Sequence, residues 1–420
     1  MTFINLTLTS FLTFYRSPVF LLTAFFLLPK VYGIIDLSII PLLCIFISSI
    51  FAPSCQAYSY KLKSYYIVLL SLLGVCLLYS LFGALFVYDS ALNFPLKFFR
   101  YSLITFISLF SLSRSFLSPL DIFKSAVLAS VINTLFSLVQ YLVFIFDFKS
   151  IMPYIFNPSF DILLSSPFRQ PGLMAGYPNS SLLLILGLYS YYFICHYHVH
   201  CKPKLWVVLI FSTLASLASR TGLVMSIPLV LYYFYCQLYN IHRVSYRFRI
   251  STFVRFIVSL TIIFLLLGLF FNSGTRILSN STYFLEPFTI LFSGDVSSSQ
   301  SLDALLASYQ NYLSTSHFVF GNHLWMLSTD LNNIDNGFFI VLASQGIFIL
   351  TLCIIFYLFL IAQVPSLYSK IFLFFVFVVF NFKVDVIFVR QASDLFFFLL
   401  LASSFFFDAH SSSRLTCRKH

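Results

Sequence analysis

The sequence predicts an all-α integral membrane protein of about 12 transmembrane helices with one large extracytoplasmic loop. Three observations lead there. Of the 420 residues, 60% are hydrophobic and only 9% charged, whereas roughly a quarter are charged in soluble domains. The apolar residues come in runs of membrane-spanning length, which is roughly 20 residues for ~30 Å of hydrocarbon. One long polar stretch, 272–335, interrupts them and holds Arg276, Glu286, Asp295, Asp303, His317, His323, Asp330 and Asp335. Inside a bilayer every backbone polar group must be bonded within the protein, which leaves helices or a closed barrel. The runs lack the period-two alternation of barrel strands, so they are read as helices.

The runs lie near 12–29, 33–53, 65–87, 96–112, 122–146, 178–195, 205–218, 222–238, 253–271, 336–362, 367–382 and 394–408. The first has no small-residue cleavage site and flows into the second, so it reads as a retained span. The chain thus divides into a bundle of nine spans (1–271), the large loop (272–335), and three spans with a short cytoplasmic tail (336–420).

Lys and Arg set the orientation. With the N-terminus in the cytoplasm, the inside segments carry Arg16, Lys61, Lys63, Arg114, Lys124, Lys202, Lys204, Arg243, Arg247, Arg249, Arg255, Lys370, Arg414, Arg418 and Lys419, fifteen of the 24 basic residues. They carry only Asp121 and Asp408 of the 13 acids. The positive-inside rule therefore puts both termini in the cytoplasm. The basic run from His242 to Arg249 reads as an anchor to anionic lipid and not as a nucleic-acid site. The inside loops are short, with no phosphate-binding loop and no Rossmann glycine pattern, which excludes a cytoplasmic ATP or nucleotide-sugar domain. None of the 8 cysteines lies in 272–335 and none forms a CxxC pair, so neither a disulfide framework nor a zinc site is expected. The alternating histidines of His196-Tyr197-His198-Val199-His200 sit on the inside and are weak as a ligand set. No cofactor and no metal is expected.

The candidate residues gather on the outer side. Arg169 lies in Pro167-Phe168-Arg169-Gln170-Pro171-Gly172, just ahead of Pro178-Asn179, where the sixth span starts. A helix N-terminus favours an anion, and an arginine beside it can hold a phosphate by two bonds; solvation of an interfacial loop explains it equally. Arg220 sits in Ser219-Arg220-Thr221-Gly222-Leu223, the connection between two spans. The run before it, 205–218, has fourteen residues and rises about 21 Å, short of the ~30 Å core. Arg220 then sits at or below the outer surface, facing a wet cavity or a partner, or else snorkels. Lys97 and Arg100, one turn apart, face anionic groups or snorkel to the headgroups. In the large loop Arg276, His317, His323, Asp330 and Asp335 stand out. Asp335 is either a base or a helix N-cap, and the histidines titrate near neutrality.

With these pieces in order, the chain resembles the bacterial O-antigen polymerases, which share a superfamily with the O-antigen ligases. The resemblance rests on Leu96-Lys97-Phe98-Phe99-Arg100, on Arg169…Gly172…Pro178-Asn179, on Ser219-Arg220-Thr221-Gly222-Leu223, on Gly321-Asn322-His323, and on Asp335-Asn336-Gly337-Phe338…Gly346. It implies a glycosyltransferase of lipopolysaccharide or other surface-polysaccharide synthesis in the bacterial cytoplasmic (inner) membrane. The donor and acceptor would be undecaprenyl-diphosphate-linked glycans at the outer leaflet, with a chain-length regulator protein as partner. It further implies catalytic roles for Asp335, Arg220 and Arg169, and substrate contacts for Lys97, Arg100, Asn179, Arg276, His323 and Asn336. Ligases of the superfamily typically carry a histidine followed by asparagine where this chain has Asp335-Asn336, which favours the polymerase. An O-antigen ligase and a flippase for lipid-linked sugars are the alternatives. The flippase fits less well, because the span centres are Phe, Leu and Ile and the polar residues lie on one face.

Overall fold

A computed structural model describes residues 17–28, 30–31, 35–52, 59–86, 93–114, 116–145, 173–174, 177–198, 203–239, 319–321, 337–383 and 392–417. Apart from a two-residue antiparallel ladder, Lys30–Val31 with Ile35–Asp36, their regular structure is helical. In chain order the helices are α1 (Pro18–Leu27), α2 (Ile39–Phe51), α3 (Ser59–Phe86), α4 (Asn93–Ser113), α5 (Pro119–Ile145), α6 (Tyr177–Phe193), α7 (Leu205–Ala218), α8 (Arg220–Tyr239), α9 (Gly337–Gln363), α10 (Leu367–Lys383) and α11 (Ala392–Cys417). A π turn, Ile194–His198, prolongs α6 and carries the exposed His196. Each run expected from the sequence falls on one of these helices except 253–271, which lies outside the described residues. α11 runs on to Cys417, through what the sequence suggested was a tail.

Ile67–Ala84, Phe94–Ser113, Pro119–Gln140 and Gly337–Gln363 are long and apolar enough to cross a membrane. The protein is a helical, membrane-embedded one. Local chemistry marks some of its helix starts. Ser118 and Asp121 cap α5 reciprocally: the Ser118 N–H and hydroxyl donate to Asp121 Oδ2 at 3.0 and 2.7 Å, and the Asp121 N–H donates to Ser118 Oγ at 3.2 Å. Proline opens α1 and α5, where its missing N–H costs nothing.

Two helices form the centre. Every residue of α11 from Ala392 to Phe405 is buried, as is every residue of α6 from Asn179 to Ser190. Helices apolar all round belong inside. α11 packs on α1, α5, α6 and α9, while α6 packs on α5, α7, α8, α10 and α11. The outer helices turn large apolar side chains such as Ile67, Leu78, Leu142 and Leu367 outward, where lipid is the matching solvent.

Pairs of contacts fix the helix directions. α6 runs antiparallel to α5 (Asn133 with Ser180, Ser130 with Leu183) and parallel to α8 (Ser181 with Ser219, Tyr192 with Leu229). α10 runs against both, since Tyr189 stacks on Phe372 and Tyr232 on Tyr368. The last part of α9 turns through Val364–Ser366 into α10 and runs parallel to α11 (Tyr357 with Phe396, Leu360 with Ser404). The end of α8 and the start of that part of α9 therefore lie at opposite ends of the bundle.

The sequence reading of 336–362 as one plain span needs correction. Phe377 touches both Phe338 and Tyr357, at 5.6 and 4.9 Å between ring centroids. Nineteen residues apart, these two would be about 28 Å apart along a straight helix. The break is at Gly346 (φ 78°, ψ 175°), a backbone conformation open essentially to glycine alone. From Gln345 to Phe359 the chain keeps step with α3, Ser80 pairing with Gln345 and Tyr65 with Phe359. The nine residues 337–345 are the part that folds away. Length alone thus overstates Gly337–Gln363 as a single crossing.

Close approach of helix backbones is sharpest at Gly222. A Cβ there would lie 2.0 Å from the Ala215 carbonyl oxygen and 2.7 Å from the Ser181 Cβ. Gly222→Ala is expected to lower the thermal midpoint of the purified protein, overpacking costing roughly 1–3 kcal/mol. Gly74→Ala, whose Cβ meets nothing within 4 Å, leaves the midpoint unchanged or raises it, glycine being the poorer helix former.

Candidate functional site

Two polar clusters sit at the end of the bundle where α4, α6, α8 and α11 begin. The first is built on Arg100, in the second turn of α4. Its guanidinium meets Asp394 of α11 in a two-point contact, Nη1 to Oδ1 at 2.9 Å and Nη2 to Oδ2 at 2.5 Å. Nε lies 3.5 Å from Asp36 Oδ2, ahead of α2. The Asp394 side chain is 1% exposed and that of Arg100 18%. The buried Tyr101 lies beside the pair, its ring centre 5.8 Å from the Arg100 guanidinium carbon. Asp36 also accepts from the Ser38 N–H and hydroxyl at 3.0 and 2.5 Å, which secures the start of α2. Planar guanidinium and carboxylate match in two parallel bonds, so one arginine ties α4 to the central helix and to the α1–α2 turn. Lys97, one turn earlier, is half-buried with its ammonium 5.2 Å from the Phe94 ring centre.

The second cluster joins the starts of α6 and α8. Ser181 and Ser219 share a hydroxyl hydrogen bond of 2.5 Å. Ser219 Oγ also accepts from the Gly222 N–H at 2.9 Å, the N-cap of α8. On the other side Asn133 of α5 donates to Ser180 Oγ at 3.0 Å and accepts from the Leu173 N–H at 2.8 Å. Asn133 is twelve residues short of Ile145, so this level lies about 18 Å in from the end of α5. The starts of α6 and α8 are thus sunk beside a longer helix. Asn179 is buried on the first turn of α6 and Arg220 is the first residue of α8. Two helix N-termini side by side bring their positive dipole ends together, the setting for an anion.

Lys97, Arg100, Asn179 and Arg220 therefore all stand within the first two turns of helices at one end of the described bundle. The Arg100 guanidinium is engaged by Asp394 and Asp36, partners that the sequence reading did not name for it. Arg169, Arg276, His317, His323, Asp330, Asp335 and Asn336 lie outside the described residues. Sequence reasoning missed Asp394 and Asp36. The available signal was an aspartate at the edge of an otherwise apolar run, which needs a cationic partner when buried.

Removing one partner of a buried ion pair strands the other. Asp394→Asn is expected to cost about 3–5 kcal/mol, read as a drop in thermal midpoint. Arg100→Lys recovers little of it, because an ammonium lacks the fork. Equal midpoints for wild type and Asp394→Asn contradict the pairing.

Neither the known protein-family models nor the curated protein sequences give a match to this chain.

Proposed function

We propose that this protein is a polymerase that joins undecaprenyl-diphosphate-linked oligosaccharide repeat units into a surface polysaccharide at the outer leaflet of the bacterial cytoplasmic membrane. The observation that supports this most is the convergence of the α6 and α8 starts through Ser181 and Ser219, with Asn179 and Arg220 on those first turns. A diphosphate leaving group needs positive charge where its own negative charge develops. Two helix N-termini and an arginine supply it without a metal.

The helix directions favour twelve crossings. α8 and the later part of α9 run the same way, so the chain between them has to return, and 253–271 is the apolar run long enough to do so. With the basic residues inside, the Arg100 end becomes the outer face, and 272–335 becomes an outer loop leading to α9.

The chemistry follows from these positions. The acceptor sugar hydroxyl attacks the anomeric carbon of the donor glycan. The bond from that carbon to the diphosphate oxygen breaks, and the electron pair leaves with undecaprenyl diphosphate. Arg169 and Arg220 hold the diphosphate, and Asp335 takes the hydroxyl proton as general base. Lys97, Asn179, Arg276, His323 and Asn336 contact the glycan or its phosphates. Arg100 serves the scaffold. A chain-length regulator protein is the expected partner.

The test is the surface-glycan pattern of a host lacking the gene, complemented with wild type, Arg169→Ala, Arg220→Ala or Arg220→Lys at matched expression. A polymerase leaves a single repeat unit on the anchor when lost, and each arginine variant shortens or abolishes the ladder, Arg220→Lys included. Long chains held on the lipid carrier with none on the surface anchor mean a ligase. An unaltered ladder in both alanine variants removes the basis for the assignment.

A further inference from the structure

Helix α5 turns a polar face toward α6. Ser130, Asn133, Thr134 and Ser137 follow at the i, i+3, i+4, i+7 spacing of a single helix face. Two of them are engaged in the packing of α5 on α6. Ser130 Oγ lies 2.9 Å from the carbonyl oxygens of Ala126 and Leu183, and Asn133 joins Ser180 to the Leu173 N–H. The other two differ. Thr134 and Ser137 are 7% and 2% exposed, and among the described residues neither hydroxyl has a hydrogen-bond partner. Serines such as Ser108 and Ser190 instead turn their hydroxyls back to the carbonyl four residues earlier. Two buried donors left unmatched one turn apart weaken the fold, so their presence calls for a partner from outside the chain.

Their position indicates its chemistry. Asn133 meets Ser180, and α5 and α6 run antiparallel. Ser137 lies four residues farther along α5, about 6 Å. Tyr177, where α6 begins, lies three residues before Ser180, about 4.5 Å. Ser137 therefore stands level with the start of α6, at the positive end of its dipole. The Ser181–Ser219 bond brings the start of α8, with Arg220, to the same turn of α6. Helices α5 to α8 carry one carboxylate between them, Asp121, at the opposite end of α5 and bonded to Ser118. Neutral hydroxyl donors beside a helix N-terminus, away from carboxylates, suit the oxygens of a phosphate.

We propose that the Thr134 and Ser137 hydroxyls donate hydrogen bonds to the phosphate oxygens of a ligand bound at the start of α6. The identity of that ligand as undecaprenyl diphosphate rests on the polymerase reading; the donor pair itself does not.

Binding to the full-length protein in phosphatidylcholine nanodiscs tests it, with undecaprenyl diphosphate and, separately, inorganic diphosphate as probes. The samples are wild type, Thr134→Val, Ser137→Ala, Ser130→Ala and Arg220→Ala, and their thermal midpoints without ligand are measured as well. Thr134→Val and Ser137→Ala are each expected to weaken undecaprenyl diphosphate roughly tenfold or more. Their midpoints without ligand stay level or rise, because each removes an unmatched donor. Ser130→Ala does the reverse, lowering the midpoint and leaving the affinity unchanged. Wild-type affinity in both hydroxyl variants, with binding weakened in Arg220→Ala, overturns the donor pair and leaves the polymerase reading standing. A lowered midpoint without ligand in both hydroxyl variants shows hydroxyls already matched within the fold and also overturns it. Inorganic diphosphate bound through the same two hydroxyls, with no binding of the lipid carrier, upholds the pair and counts against the polymerase reading. Wild type that binds neither probe overturns both.

Discussion

A polar group inside hydrocarbon has no water to turn to, so it must find its partner within the chain. Much of this architecture follows from that constraint. The Arg100 guanidinium is matched atom for atom by Asp394 on the central helix, with Asp36 completing the set. The pair contributes position more than net stability, since burying two charges costs nearly what their attraction returns. Its value lies in register: α4, α11 and the turn before α2 are held at one level, and the other helices pack around α11 from there.

The same constraint governs the smaller polar residues. Serines along the helices mostly return their hydroxyls to the carbonyl four residues back, as Ser49, Ser108, Ser190 and Ser404 do. Hydroxyl pairs that join two helices, Ser181 with Ser219 and Ser49 with Ser111, mark where helices approach closely through small side chains. At the α6 and α8 starts this brings two N-termini to a level well inside the span of α5. An anion drawn to that level meets oriented N–H dipoles in a medium of low dielectric, where they act far more strongly than in water.

The broken helix α9 shows the constraint from the opposite side. Interrupting a helix frees backbone groups, and irregular backbone at such depth persists only when protein covers it. Here the Val319–Gly321 turn and two side chains of α3, Tyr79 and Ser80, are the cover. The polar stretch ahead of α9 is consequently more than a connection between spans, because one part of it is built into the bundle.

How much was legible in advance can be argued from particular residues. The helices were, because runs of Phe, Leu and Ile some 20 residues long have few other ways to satisfy their backbone in lipid. The common side of Lys97, Arg100, Asn179 and Arg220 was legible too, since alternating spans fix which helix starts share an end. The local caps at Ser118-x-x-Asp121 and at Ser219 were readable from residue type. Tertiary structure alone decided the rest. Whether Arg100 faces a ligand or a carboxylate depends on Asp394, 294 residues away, and nothing local distinguishes the two. Only the apposition of Gly321 and Gly346 shows why each needs φ > 0. By itself the sequence determined the solvent, the helices and their alternation, because these depend on hydrophobicity summed over neighbouring residues. Pairing of charges, depth of helix starts and the fold of α9 depend on contacts between distant segments, and those exist only once the bundle has packed.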